Sequence, residues 1–255
     1  MSRLNMTSQG TQPMEALRPQ MSGTEAEVDV ESIDRVLARA APILRYRSAA
    51  PTFYQRRGKR LLDITLGALL LVAFLPIIAA LALAVYVTSG WPVLYGSERV
   101  GKNGRLFRVW KFRTMVRDAD EVLDGWKAAH PELAAEYGKD FKLREDPRVT
   151  ALGRVLRKSS LDELPQLWNV IRGEMSLVGP RPVVVEELSR YGDHAEMFLS
   201  VPPGITGRWQ LNGRNDLSYP DRIWVELAYC RSVTCLGDLM ILARTLLVPF
   251  RYGGI

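Results

Sequence analysis

Apolar residues recur at helical or strand spacing along most of this chain, but one stretch has no polar face at all. From Ile64 to Val87 every side chain except Thr65 and Tyr86 is aliphatic, glycine, proline or phenylalanine, and no charge falls between Asp63 and Glu98. A soluble helix needs a polar stripe toward water, so a stretch this long and this apolar is expected in lipid. Arg56, Arg57, Lys59 and Arg60 precede it, and Arg99, Lys102, Arg105, Arg108, Lys111 and Arg113 follow it. Basic flanks prefer the cytoplasmic face, and a hairpin entering and leaving by that face satisfies both clusters. Pro76 lies near the midpoint, where it removes a backbone donor and bends a helix. Each half is then about 12 residues, roughly 18 Å long. The expectation is a re-entrant membrane helix over 56–88, broken at Pro76, with a kinked spanning helix as the alternative.

Elsewhere the periods are shorter. Residues 1 to about 24 are rich in Ser, Thr, Gln, Gly and Pro and are expected to be disordered. Ile33, Val36, Leu37 and Ala40 make one weak helical stripe, so 1–55 reads as a variable extension. Two runs rich in Val, Phe, Tyr and Trp flank Lys102-Asn103-Gly104, which predicts a hairpin over about 93–113. Alternation there places Lys111 and Arg113 on one face and Phe112 on the other, either a solvated basic edge or a phosphate clamp. Helices are expected at 119–126, 131–137, 152–156 and 161–171, the last stopped at Gly173. Gly179-Pro-Arg-Pro182 is a stiff loop, Ile205 to Leu211 a short strand, and Ser218 with Asp221 opens a helix to about Tyr229. Leu236 to Phe250 is apolar apart from Asp238 and Arg244, which suits a helix lying on a membrane surface. The fold class is therefore α/β: a small, mostly helical catalytic domain over 89–255 with short strands, anchored by the membrane helix and interfacial amphipathic helices.

Composition narrows the chemistry. Two cysteines, Cys230 and Cys235, and two separated histidines, His130 and His194, offer no zinc-site or disulfide pattern. The +6 formal charge fits anionic lipid or phosphorylated substrates. No nucleic-acid partner is expected, because basic residues interleave with aromatics only over 99–113. The first residues lack the charged-then-apolar pattern of a signal peptide, so no export is expected. Gly96 to Asn103 approaches a phosphate-binding loop, but Asn103 replaces the hydroxyl that would hold Mg²⁺.

The informative run is Ser159-Ser-Leu-Asp-Glu-Leu-Pro165. Ser160 and Glu163 have capping-box spacing, and acids in a first helical turn are favoured by the dipole. The same position keeps carboxylates ionised near a bound anion, so Asp162 could attack phosphorus or hold Mg²⁺ against a diphosphate. Pattern alone leaves both readings open.

Several motifs in one order carry a resemblance. Lys111-Phe-Arg-Thr-Met115, Ser160-Leu-Asp-Glu-Leu-Pro-Gln-Leu-Trp-Asn-Val170, Arg172-Gly-Glu-Met-Ser-Leu-Val-Gly-Pro-Arg-Pro182, Pro203-Gly-Ile-Thr-Gly207 and Asn212-Gly-Arg-Asn-Asp216 resemble the bacterial sugar transferase family. These are monotopic polyprenyl-phosphate phosphoglycosyl transferases, and the likeness runs from about Arg56 to the C-terminus. It implies transfer of a hexose-1-phosphate from a UDP-sugar to undecaprenyl phosphate, with release of UMP, as the first membrane step of exopolysaccharide or surface glycan synthesis. It implies Asp162 as covalent nucleophile, Glu163 as an assisting ligand of Mg²⁺, and Lys111, Arg113, Arg181 and Arg214 as substrate- and phosphate-binding residues. It also implies the cytoplasmic face of a bacterial inner membrane and supports the re-entrant helix broken at Pro76. The stretch from Asp118 to Asp146 resembles the insert of relatives using glucose or galactose donors. Pro202 departs from the family, where Arg often precedes Pro-Gly-Ile-Thr-Gly, and the multi-span N-terminal region of larger relatives is lacking. A catalytically idle membrane scaffold and a membrane-tethered nucleic-acid binder are the competing classes. A homo-oligomer is left open.

Overall fold

The computed structural model of the chain describes residues 52–129, 146–211 and 218–245. The expected disorder to residue 24, the helices over 33–40 and 131–137, the motif of Arg214 and everything beyond 245 lie outside the described residues.

A π-helical turn, Tyr54–Gly58, leads into helix α1 (Lys59–Ser89), then strands β1 (Leu94–Val100) and β2 (Leu106–Phe112) and helix α2 (Ala119–Ala129). Helices α3 (Ala151–Ser159) and α4 (Gln166–Arg172) follow, then β3 (Ser176–Val178), α5 (Val185–Leu188) and α6 (Ala195–Leu199). The last elements are β4 (Gly204–Thr206), α7 (Arg208–Leu211), α8 (Tyr219–Arg231) and α9 (Cys235–Thr245). Two small sheets stiffen this mostly helical framework, an antiparallel β1–β2 pair and a parallel β3–β4 pair. The hairpin turns where the sequence places it, with Asn103 in the left-handed region at φ 57°.

Helix α1 is long and apolar enough to cross a membrane. It runs without interruption through Pro76, where the sequence predicts a break. Proline removes one donor and bends an axis, but the turns on either side still close their own hydrogen bonds. Two stretches of α1, one toward each end, pack on the domain. Leu66, Leu70 and Leu71 meet a core of Val109, Leu167, Val170, Met175 and Leu177, while Ile78, Leu81, Ala82 and Val85 meet Phe112 and Leu156. Leu61, Leu69, Val72, Leu75, Leu83 and Val87 of the same helix are exposed.

Charged groups lock the foot of α1 into the domain. Lys59 Nζ donates to Asp238 Oδ2 at 2.7 Å and to the Val178 carbonyl at 2.8 Å. Asp238 also accepts from the hydroxyls of Tyr54 at 2.6 Å and Tyr229 at 2.9 Å. Asp63 accepts from Ser176 Oγ and the Leu177 N–H, both at 2.9 Å. Arg60 donates to the last carbonyls of α4, Val170 at 2.6 Å and Ile171 at 2.7 Å, the place a cation best serves a helix end. Asp238 is thus wholly buried in this network, although Leu236, Leu239 and Met240 of α9 leave the apolar exposed row an interfacial helix needs.

Two expected elements differ. The strand foreseen over Ile205 to Leu211 ends at Thr206 and gives way to α7. Its partner β3 runs into Pro180 and Pro182, which have no N–H to extend a ladder. The helix foreseen over 161–171 is split into a 3₁₀ turn, Leu161–Glu163, and α4. Pro165 cannot donate back to Leu161, so the chain tightens before the α-helix begins. The cap of α8 forms as expected, with Ser218 Oγ accepting from the Asp221 N–H at 3.3 Å.

Candidate active site

Asp162 and Glu163 sit on the 3₁₀ turn, and the serine before them does not cap it. Ser160 is in the left-handed region at φ 57° and its side chain caps nothing. Its N–H instead closes α3 by donating to Arg157 O at 3.2 Å. The capping-box expectation therefore fails on geometry: one residue ends a helix and starts a turn, and its hydroxyl makes no cap hydrogen bond to that turn. Glu163 turns to another partner, accepting from Lys111 Nζ at 2.6 Å.

Lys111 arrives from β2, and Asn169 of α4 fixes that strand against the acidic turn. Asn169 Oδ1 accepts from the Trp110 N–H at 3.1 Å, and its Nδ2 donates to Arg108 O at 2.7 Å. Asn169 is completely buried. Sequence reasoning missed it as a site residue, although it lies within one of the matching motifs.

Asp162 is 7 % exposed. Burial pushes its carboxyl up to about 6, opposed by the Lys111 charge, reinforced by Glu163 and opposed again by Arg157. Arg157 comes from α3, where its Nε donates to Thr114 Oγ1 at 2.9 Å. Gly153 allows α3 this close: a Cβ there would lie 2.0 Å from the Thr114 carbonyl oxygen. Asp162, Glu163, Lys111 and Arg157 thus converge from a turn, a strand and a helix, and Arg157 was not foreseen.

The remaining expected residues are placed differently. Arg113 is buried, so the solvated-edge reading does not describe it. Its Nη2 donates to the carbonyls of Ser89 and Gly90, closing the carboxyl end of α1. Arg181 stands between two prolines, its N–H donating to Glu226 Oε1 at 3.1 Å, and the Glu163 charge is felt at its guanidinium. Pro76 lies on the exposed part of α1 and Arg214 outside the described residues.

No group of three or more His, Cys, Asp and Glu clusters as a metal site among the described residues. Mg²⁺ does not require one, since it is held by one or two carboxylates completed by substrate phosphates and water. A desolvated carboxylate with an acidic neighbour suits that ion, because cation binding offsets the burial cost of its charge.

Residues 54–252 match the family described as bacterial sugar transferase. The chain is 43% identical to undecaprenyl-phosphate galactose phosphotransferase of Salmonella typhimurium over 219 residues, 86% of this chain and 46% of that one. It is 45% identical to exopolysaccharide production protein ExoY of Rhizobium meliloti over 189 residues, 74% of this chain and 84% of that one. Against undecaprenyl-phosphate glucose phosphotransferase of Komagataeibacter xylinus it is 38% identical over 226 residues, 80% of this chain and 40% of that one. The chain thus spans less than half the length of the first and third of these relatives.

Proposed function

The chain belongs to the bacterial sugar transferase family, and from that premise we propose that it moves a hexose-1-phosphate from a UDP-sugar to undecaprenyl phosphate. Glucose or galactose is the favoured hexose, and the step begins a lipid-linked exopolysaccharide or surface glycan. The observation that carries the reading is the buried Asp162 carboxylate beside the Lys111–Glu163 pair.

In the first step an Asp162 oxygen attacks the β-phosphorus, an oxygen–phosphorus bond forms, and the bond to the bridging oxygen breaks. UMP leaves with that electron pair. In the second step an oxygen of undecaprenyl phosphate attacks the same phosphorus, and the Asp162 carboxylate is regenerated. The acceptor brings its own anionic oxygen, so no base is needed to create the nucleophile. Lys111 and Arg181 balance charge on the phosphoryl oxygens, arginine by paired donors. Asp162 and Glu163 would hold Mg²⁺, which when bound neutralises diphosphate charge.

Purified protein given a panel of UDP-sugars should release UMP with one hexose preferred, at most one equivalent per site before lipid is added. Intact-mass measurement should then find a hexose-phosphate adduct. UMP release that requires lipid from the outset, with no adduct at any time, would replace the two-step reading by direct transfer.

The reading extends to topology: α1 bends at Pro76 while staying helical, and so enters and leaves the bilayer by the cytoplasmic face. Support comes from the two packed stretches of α1, which tie both halves to one domain. Cysteines introduced near residues 50 and 105 should both be labelled only from the cytoplasmic side. Labelling from opposite sides would make α1 a span.

A further inference from the structure

A column of arginines and aromatic rings is built around Trp209 and Tyr219, and part of it belongs to no motif discussed above. The guanidinium carbons of Arg181 and Arg222 lie 5.6 and 4.7 Å from the centre of the Trp209 ring. Arg222 is also 5.4 Å from the Tyr219 ring, and Arg190 is 4.4 Å from it. Ring contacts of this kind hold a guanidinium while leaving its N–H edge free to donate.

The N–H edge of Arg222 is underused. Its side chain is 13% exposed, and Glu226 Oε1 lies 3.6 Å from Nε, too far for a hydrogen bond. Nε and Nη2 are buried and have no hydrogen-bond partner among the described residues. Glu226 is committed elsewhere, accepting from the Tyr191 hydroxyl and the Arg181 N–H. Buried donors left unmet cost free energy, and the Arg222 charge also bears on Arg181, whose own pKa is lowered first by burial and then by that charge. An anion held between the two guanidinium groups removes both costs.

We propose that Arg181 and Arg222, set over Trp209, form an anion subsite for the phosphate of the departing nucleoside monophosphate, the half of the donor diphosphate that is not transferred. The proposal rests on the phosphosugar-transfer reading, in which Arg181 of the Gly179-Pro-Arg-Pro182 loop already meets the donor's phosphates. Charge grows on the leaving phosphate as its bond to the β-phosphorus breaks, and two fixed guanidinium groups stabilise that charge most where it is largest. Trp209 and Tyr219 act as positioning residues, holding the guanidinium groups without consuming their donors.

The test is UMP binding by calorimetry, using the full chain in lipid nanodiscs. Uridine, inorganic phosphate and nanodiscs containing undecaprenyl phosphate serve as comparison ligands. Arg222→Met keeps the length of the stem and removes the donors, and should weaken UMP binding at least about tenfold, the scale of one lost charge-assisted contact. Uridine binding should not change, since uridine carries no phosphate. Arg222→Lys keeps the charge but loses the fork, and should fall between wild type and Arg222→Met. Should Arg222→Met fail to fold, Arg222→Lys decides alone: a weakened UMP affinity with unchanged uridine binding supports the subsite, and wild-type affinity overturns it. Equal UMP affinity in wild type and Arg222→Met also overturns it. Loss confined to undecaprenyl phosphate would assign the arginines to the acceptor and overturn it as well. Binding needs no turnover. A chain that transfers from no UDP-sugar fails the transferase reading, while an active enzyme whose UMP affinity ignores Arg222 fails only the subsite.

Discussion

Asp162→Asn should lower turnover by orders of magnitude and leave the protein at least as stable as the wild type at neutral pH. An amide cannot form the acyl phosphate that a two-step transfer requires. The stability half follows from burial. The folded-state pKa of Asp162, about 6, lies above the ordinary 3.8. The stabilising contribution of the protonated carboxyl is therefore complete below about pH 4 and is lost as pH rises through about 6. At pH 7 the ionised side chain opposes folding by something on the order of 1–3 kcal/mol, and asparagine removes that cost. A residue that merely caps predicts the reverse, a loss of about 1 kcal/mol with turnover intact. Lipid-dependent UMP release, measured with thermal unfolding at pH 5 and pH 8, separates the two. The stability advantage of Asp162→Asn should widen at the higher pH. Wild-type activity should rise through about pH 6 as the nucleophile ionises. Preserved turnover in Asp162→Asn would end its assignment as nucleophile.

Asp238→Ala should destabilise the chain by about 3–5 kcal/mol, the scale of breaking a buried ion pair from one side. Its carboxylate is the shared acceptor for Lys59, Tyr54 and Tyr229, and of the three Lys59 and Tyr229 are buried away from water. Removing it leaves a buried ammonium whose remaining hydrogen-bond acceptor among the described residues is the Val178 carbonyl. Replacing both partners, Lys59→Met with Asp238→Leu, should recover much of the loss, because neither charge is then stranded. Thermal unfolding in detergent micelles reads the difference, roughly 10 °C for the single variant in a chain of this size. A shift within about 1 kcal/mol, the range of an exposed surface pair, would show that the network does not hold α1 to the domain.

The features legible in the sequence were those fixed by local pattern. The hairpin about Asn103, the membrane-length helix, the Ser218 cap and the glycine stop at Gly173 each depend on a few adjacent residues, and each stands where expected. The acidic pair was legible too, although its local setting was not. The spacing of Ser160 and Glu163 fits a capping box, and only tertiary contacts show that Lys111 takes Glu163 while Ser160 ends α3. Arg157, Asn169 and Arg222 were missed because their roles come from partners 43, 59 and 4 residues away: Thr114, Trp110 and Glu226. Arg222 shows that even a near neighbour misleads, since i,i+4 spacing to Glu226 reads as a surface pair, whereas Glu226 is buried. Arg113 was placed on a strand face by alternation, but β2 ends at Phe112 and the next side chain is free to reach the end of α1.

The grip of Arg60 on α4 sets an altitude. Asp162 and Glu163 lie just before α4, and Arg60 holds its far end, while Asp63 holds the first residues of β3 beyond it. The seven residues of α4 span about 10 Å, so the acidic pair rides one short, rigid strut away from the foot of α1. Only the two turn residues Leu164 and Pro165 separate that strut from Glu163, so a tilt of α1 is expected to pull on the carboxylates. On the membrane topology proposed for α1, a change in bilayer thickness is then expected to reach Asp162 and Glu163 as a mechanical input.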